Sequence, residues 1–193
     1  MSTNSFYNEA ELQNLGFKKI GIGAQISKKA SFYGPENMTI GDNVRIDDFC
    51  LLSGKAVLGN YIHIAAYSAI FGSTAGVSIG DFSTLSSRCT VYALSDDYSG
   101  ETMTNPTVPS ELKNVTEASV TIGRHVIVGA GSTILPGADI GDGVALGAHS
   151  LLTKPAESWH VYVGSPAKIL KQRSRALLEK EKRLLVSCKK DQS

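Results

Sequence analysis

The sequence predicts an all-β chain wound as a parallel coil of short strands, three to a turn, and three observations carry that expectation. Aliphatic residues recur every six positions through most of the middle of the chain. The residue after each is often glycine or another small residue, and the residue two before it is small or branched. Composition agrees, since 19 glycines with only 7% aromatic residues imply many tight turns around a core of medium side chains.

Taken in chain order, residues 8–16, NEAELQNLG, read as a short amphipathic helix ending at Gly16, within an N-terminal segment 1–19. The coil is expected over residues 20–166. Its leading residues run Ile40, Ile46, Leu52, Leu58, Ile64, Ile70, then Ile79, Leu85, Val91, and after a gap Ile122, Val128, Ile134, Ile140, Leu146 and Leu152. Strand alternation turns each leader and the residue two before it inward, and the residue just before the leader outward. Neither a helical 3.6 period nor simple alternation accounts for six. A short strand and a turn per unit does, with three units closing a triangular prism. A sandwich of short strands would need turn signals every ~8 to 12 residues instead.

Departures from the period locate the other parts. Three extra residues in GSTAG, between Ile70 and Ile79, predict a bulge at one corner. Between Val91 and Ile122 the register breaks, and residues 94–119 are polar, carry Pro106 and Pro109, and must loop outward. Loops of that length in compact domains are usually functional. Beyond Pro155 and Pro166 a terminal helix is expected over 167–193, with Leu170, Leu177, Leu178, Leu184 and Leu185 as one apolar stripe that packs on a neighbouring surface.

A length of 193 residues suits one domain and not two. Nineteen Lys+Arg against 18 Asp+Glu give a net charge of +1, no field that would gather nucleic acid. The N-terminus has neither a basic leader nor an apolar core, and no window approaches a membrane span, so a cytoplasmic protein is expected. Cys50, Cys89 and Cys188 form no CxxC pair, which fits a reducing compartment and argues against a structural zinc site.

So many six-residue units in register, from IGDNVR to ALGAHS, strongly resemble the left-handed β-helix of the hexapeptide-repeat acetyltransferases over roughly residues 20 to 170. The closing segment LLTKPAESWHVYVGSPAK is similar to that family's own. Left-handedness is implied by the resemblance and not by the period. The resemblance also implies a homotrimer, acetyl-CoA as co-substrate with no required metal, and transfer of the acetyl group to a hydroxyl of a sugar or glycan precursor, as in galactoside and maltose acetyltransferases or in polysaccharide biosynthesis. N-acetylation of a nucleotide-linked amino sugar, acetylation of a xenobiotic, and a β-helical scaffold without activity are the alternatives. The carbonic anhydrases on this prism need three converging histidines, and His63, His125 and His149 are not spaced like that set.

Carried over by motif position, the cofactor groove falls on Gly129, Ala130, Ala148, Thr153, Lys154 and Lys168. Small corner residues let pantetheine amides reach the backbone, and lysine supplies a point charge for phosphate. Acetylating a hydroxyl also needs a base, and of four histidines His63 stands out because it precedes the leader Ile64 and points outward. Many family members carry the catalytic histidine at the mouth of the excursion loop, where this chain reads ALSDDYSGE. Two readings follow: His63 acts as base, oriented by Asp96 or Asp97 of its own or a neighbouring subunit, or a loop carboxylate acts itself. The first is favoured because an aspartate near ~3.9 is a feeble base for a sugar hydroxyl. Tyr67, Ser68, Tyr98 and Asn105 are the expected acceptor contacts.

Overall fold

The computed structural model describes residues 5–190, with side chains described through Ser187; residues 1–4 and 191–193 of the expected terminal segments, and the Cys188 side chain, lie outside it. The six-residue units wind into a left-handed prism with three parallel faces. One face stacks Gln25–Ile26, Arg45–Ile46, His63–Ile64, Thr84–Leu85, Ile127–Val128, Ala145–Leu146 and His160–Val163. A second stacks Ser31–Tyr33, the start of Leu51–Leu58, the start of Ala69–Ile79, Thr90–Tyr92, Thr133–Ile134 and Leu151–Leu152. The third holds Lys19–Ile20, Met38–Ile40, the far ends of those two long strands, Val120–Ile122 and Asp139–Ile140.

The interior follows the six-residue pattern. Leaders from Ile40 to Leu152 are buried, and so is the second inward column, Val44, Cys50, Ala56, Ile62, Ser68, Ser83, Cys89, Val126, Ser132, Ala138, Val144 and Ser150. Interior serines stay because each finds a hydrogen-bond partner: Ser68, Ser83 and Ser132 donate to carbonyls, as Ser83 Oγ does to the Gly123 oxygen at 2.8 Å, and Ser150 Oγ accepts from Gly164 N–H. Burial pushes the Cys50 thiol up to about 11, and Cys89 also rises, so neither is a reactive thiolate. Truncating a fully buried leader such as Ile64 to alanine would cost about 2–5 kcal/mol.

At the corners the chain takes the left-handed conformation, and bulky residues adopt it as well as glycine: Tyr61, Phe82, His125 and Trp159 have φ of 56, 61, 57 and 62°. Phe82 and His125, on successive turns of the coil, stack with ring centroids 5.1 Å apart. The corner between the second and third faces absorbs the GSTAG insertion, as expected. There Gly54 takes φ 76° opposite Ser73, and a Cβ on Gly72 would lie 2.0 Å from the Lys55 carbonyl oxygen.

The ends depart further from expectation. Helix α1, Glu9–Gln13, starts in a capping box in which Asn8 Oδ1 accepts from Glu11 N–H at 2.9 Å and the Glu11 carboxylate accepts from Asn8 N–H at 2.8 Å. Residues 168–172, expected as helix, form a strand antiparallel to His160–Val163; strand pairing outcompetes helix there because the last coil leaves an open edge. Leu170 therefore belongs to that strand and is exposed, not part of a helical stripe. Helix α2 spans Leu177–Lys190. Its Glu181 accepts from Arg124 and pairs with His125 Nε2 at 2.8 Å, while Arg173 donates to the His125, Gly143 and Val144 carbonyls. That corner histidine, expected to be solvated or packed, is 8% exposed and docks the helix.

Candidate active site

The excursion leaves the prism after Ala93 and returns at Ala118, whose N–H donates to the Ala93 carbonyl at 3.0 Å. Between them, Leu94–Ser95 and Thr116–Glu117 pair antiparallel and form a neck. Where the neck leans over the second face it encloses a pocket of about 490 Å³ lined by Phe71, Tyr92, Leu94, Ser95, Asp96, Tyr98, Thr133 and Leu135. Phe71 and Tyr92 are register partners on adjacent turns, and their rings stack 5.0 Å apart and 7° from parallel. The floor is thus a flat aromatic surface, and the wall is polar loop.

The two neighbouring loop aspartates differ in what occupies them. Asp97 accepts from Ser99 N–H at 2.8 Å and from the Thr102 N–H and hydroxyl at 3.0 and 2.9 Å. Those bonds hold it down at about 2, far too acidic to take a proton at neutral pH. Asp97 therefore shapes the loop. The Asp96 carboxylate, at the pocket wall, has no hydrogen-bond or ion-pair partner among the described residues. Tyr98 joins it at the rim with 93% of its surface exposed. Asn105 takes φ 77° and its Oδ1 accepts from Thr107 N–H and hydroxyl, so it turns the loop and does not line the pocket.

His63 is placed otherwise than expected. It stands on the first face, its Nε2 is 2.8 Å from Asp47 Oδ2, and Asp47 also accepts from Arg45 Nε at 2.7 Å. Burial alone would raise Asp47, but the bonds from His63 and Arg45 outweigh it and hold this carboxyl below its usual range. Within the chain, orientation by Asp96 or Asp97 is thereby corrected to orientation by Asp47, one turn away on the same face. Ser68 is corrected too: it is 1% exposed, donates to the Ser86 carbonyl at 3.0 Å, and faces the interior where no acceptor reaches. Tyr67 sits at a corner and stacks on Phe49 at 4.9 Å.

The cofactor residues fall into two groups. Gly129, Ala130 and Ala148 follow one prism edge on successive turns, where a Cβ on Gly129 would lie 2.4 Å from the Ala148 nitrogen. Glycine is therefore obligatory at 129 for stacking alone. Ala130 and Ala148 are exposed. Thr153, Lys154 and Lys168 converge on a cleft of about 220 Å³ with Pro155, Tyr162 and Pro166, and among the described residues neither lysine has an ion-pair partner. Sequence reasoning missed the aromatic floor. Its signal was present, because Phe71 and Tyr92 each follow a leader by one and so share an outward position.

Comparison with known proteins places this geometry. Residues 119–154 match the bacterial transferase hexapeptide (six repeats) family model. Over 180 residues the chain is 46% identical to a dTDP-4-amino-4,6-dideoxy-D-glucose acyltransferase of Escherichia coli, covering 92% of this chain and 93% of that one. The chain belongs to the hexapeptide-repeat acyltransferases. Among members of solved structure it superposes on AntD, an N-acyltransferase from Bacillus cereus, with TM-score 0.94 and 47% identity over 95% of this chain and all of that one. AntD structures hold dTDP or dTDP-4-amino-4,6-dideoxyglucose with coenzyme A, and one holds dTDP with 3-hydroxybutyryl-CoA; several carry a substituted aspartate or serine. A putative lipopolysaccharide biosynthesis O-acetyl transferase, WbbJ of Escherichia coli, is 30% identical over 71% of this chain and 69% of its own. Like these, the chain is an acyltransferase with acyl-CoA as co-substrate. No helix of the described residues is long and apolar enough to cross a membrane.

Proposed function

We propose that this protein transfers an acyl group from acyl-CoA to the amine of a nucleotide-linked amino sugar, a dTDP-4-amino-4,6-dideoxyhexose, and that Asp96 handles the proton. The observation that carries the reading is the unpaired Asp96 carboxylate above a stacked aromatic floor in a pocket whose lining contains no histidine. A hydroxyl acceptor needs a strong base in the transition state. An amine needs only to lose its extra proton and be held near the thioester. Asp96 suits that task twice over: its charge holds the incoming ammonium, and its oxygen takes the proton. Asp96 passes that first proton to solvent, the nitrogen attacks the thioester carbonyl and the C–N bond forms, Asp96 takes the second proton that the nitrogen sheds as it becomes an amide, the C–S bond breaks, and this proton goes from Asp96 to the departing thiolate. Phe71 and Tyr92 offer a face for a nucleobase, with Tyr98 at the rim. The likeness to the dideoxyglucose acyltransferase and to AntD over more than nine-tenths of this chain supports the amino-sugar alternative over the hydroxyl acceptor that the sequence favours.

The test is kinetic. With dTDP-4-amino-4,6-dideoxyglucose and acetyl-CoA, Asp96→Asn should lower kcat by roughly 10² to 10⁴ while His63→Gln stays within about threefold of the parent. The reverse pattern would restore His63 as the base. Acyl-CoA runs along the Ala130–Ala148 edge towards Lys154 and Lys168, and a second copy supplies the outer wall in a homotrimer. Ala148→Phe should raise KM for acetyl-CoA about tenfold in a protein that still sediments as a trimer. An unchanged KM would move the cofactor elsewhere, and a stable monomer at micromolar concentration would remove the second wall. The cytoplasmic location expected from sequence belongs to this reading.

A further inference from the structure

The GSTAG insertion is unexplained by the prism, which needs six residues per unit and here has three more. Its geometry is specific. Gly72 is forced by the Lys55 carbonyl, Gly76 lodges the Lys55 stem at 3.1 Å from where a Cβ would stand, and Ser73 takes φ 48°. The result presents two adjacent hydroxyls, Ser73 Oγ and Thr74 Oγ1, and each donates to a different oxygen of Glu117. Glu117 lies in the neck, directly opposite Leu94 and therefore beside the strand that ends at Asp96. Both hydrogen bonds are charge-assisted and directional. No other side-chain hydrogen bond or ion pair links the neck strands to the prism among the described residues.

We infer that Glu117 is a positioning residue, latched by Ser73 and Thr74 so that the neck holds Asp96 over the pocket. This rests on the proposed role of Asp96. The insertion is then a built docking point for the excursion: it gives the neck a fixed angle that backbone pairing over two residues a side cannot give alone. Misplacing a reacting group by an ångström can cost up to ~10² in rate, so the latch governs kcat more than binding.

A mutant cycle tests it. Glu117→Ala should lower kcat on the order of tenfold with KM for acetyl-CoA unchanged, and Glu117→Gln should restore most of it, since the amide can still bond both hydroxyls. Ser73→Gly with Thr74→Val removes the other half of the latch, and glycine suits the positive φ. That pair should match the Glu117→Ala loss, and the triple variant should be no worse. Hydrogen exchange across residues 94–118 should accelerate equally in all three while the prism stays protected. Additive losses, or faster exchange with unchanged kcat, overturn the positioning role. An Asp96→Asn protein of normal turnover overturns the base assignment instead, and leaves the cycle and the exchange data to judge the latch separately.

Discussion

Two aromatic stacks on this prism are nearly the same object and serve different ends. Phe82 and His125 stack at 5.1 Å and 7°, Phe71 and Tyr92 at 5.0 Å and 7°. Parallel coils in register bring equivalent positions of adjacent turns within stacking distance, on a strand for Phe71 and Tyr92 and at a corner for Phe82 and His125, so such pairs arise wherever two rings fall in one column. What covers them differs. Helix α2 lays Glu181 against His125, and that carboxylate is satisfied by both His125 and Arg124. Over Phe71 and Tyr92 the excursion brings Asp96, a carboxylate with no partner among the described residues. A ladder pair becomes structure when its lid is paired and a site when its lid is not.

The sharpest way to break that contrast is to remove a ring from the open stack and the paired carboxylate from the lid of the other. Tyr92→Ala should raise KM for the nucleotide sugar roughly 10- to 100-fold, the worth of one base-stacking contact, while the melting temperature barely moves. If KM stays put and the protein melts early, the open stack is core after all. Glu181→Ala should do the opposite. It leaves the mostly buried His125 without its partner, costing about 1–3 kcal/mol, or roughly 2–4 °C of Tm per kcal/mol, with KM for the sugar unchanged. The smallest effect is in pH. Burial alone would raise Glu181, but the hydrogen bond from His125 and the charges of Arg124 and His125 prevail and hold it below the ordinary glutamate value. Its contribution is therefore complete above the unfolded value and lost as pH falls through the lower folded one. An acid titration of Tm should lose this component in Glu181→Ala; an identical profile would show that the helix is docked by apolar contacts alone.

The prism was legible in the sequence because its cause is local: every sixth residue must be aliphatic to fill the interior, and leaders from Ile40 to Leu152 are buried accordingly. What could not be read depends on residues one turn apart. His63 meets Asp47 across 16 positions, and Phe71 meets Tyr92 across 21 because the insertion adds three to the regular 18. Ser68 was misplaced for a simpler reason: it occupies the inward column by position, yet a hydroxyl beside a histidine suggested chemistry. Asp96 and Asp97 are indistinguishable as letters, and only the turn that gives Asp97 three donors separates them. The strand at Lys168–Gln172 exists because the last coil ends in an unpaired edge, a demand of the assembled fold that no window of sequence contains.

The closed neck has one more consequence. Because the Ala118 amide bonds directly to the Ala93 carbonyl, the coil resumes as if nothing had intervened, and the prism is indifferent to what hangs between those two residues. The entropic cost of the loop grows only slowly with its length, so exchanging its contents costs the scaffold little. The excursion is in effect a cassette in a fixed slot. On the proposed function, evolution, or an engineer, can swap the excursion of one such enzyme onto the prism of another and so change its acceptor, provided the graft keeps a glutamate where Glu117 meets the two hydroxyls of the insertion.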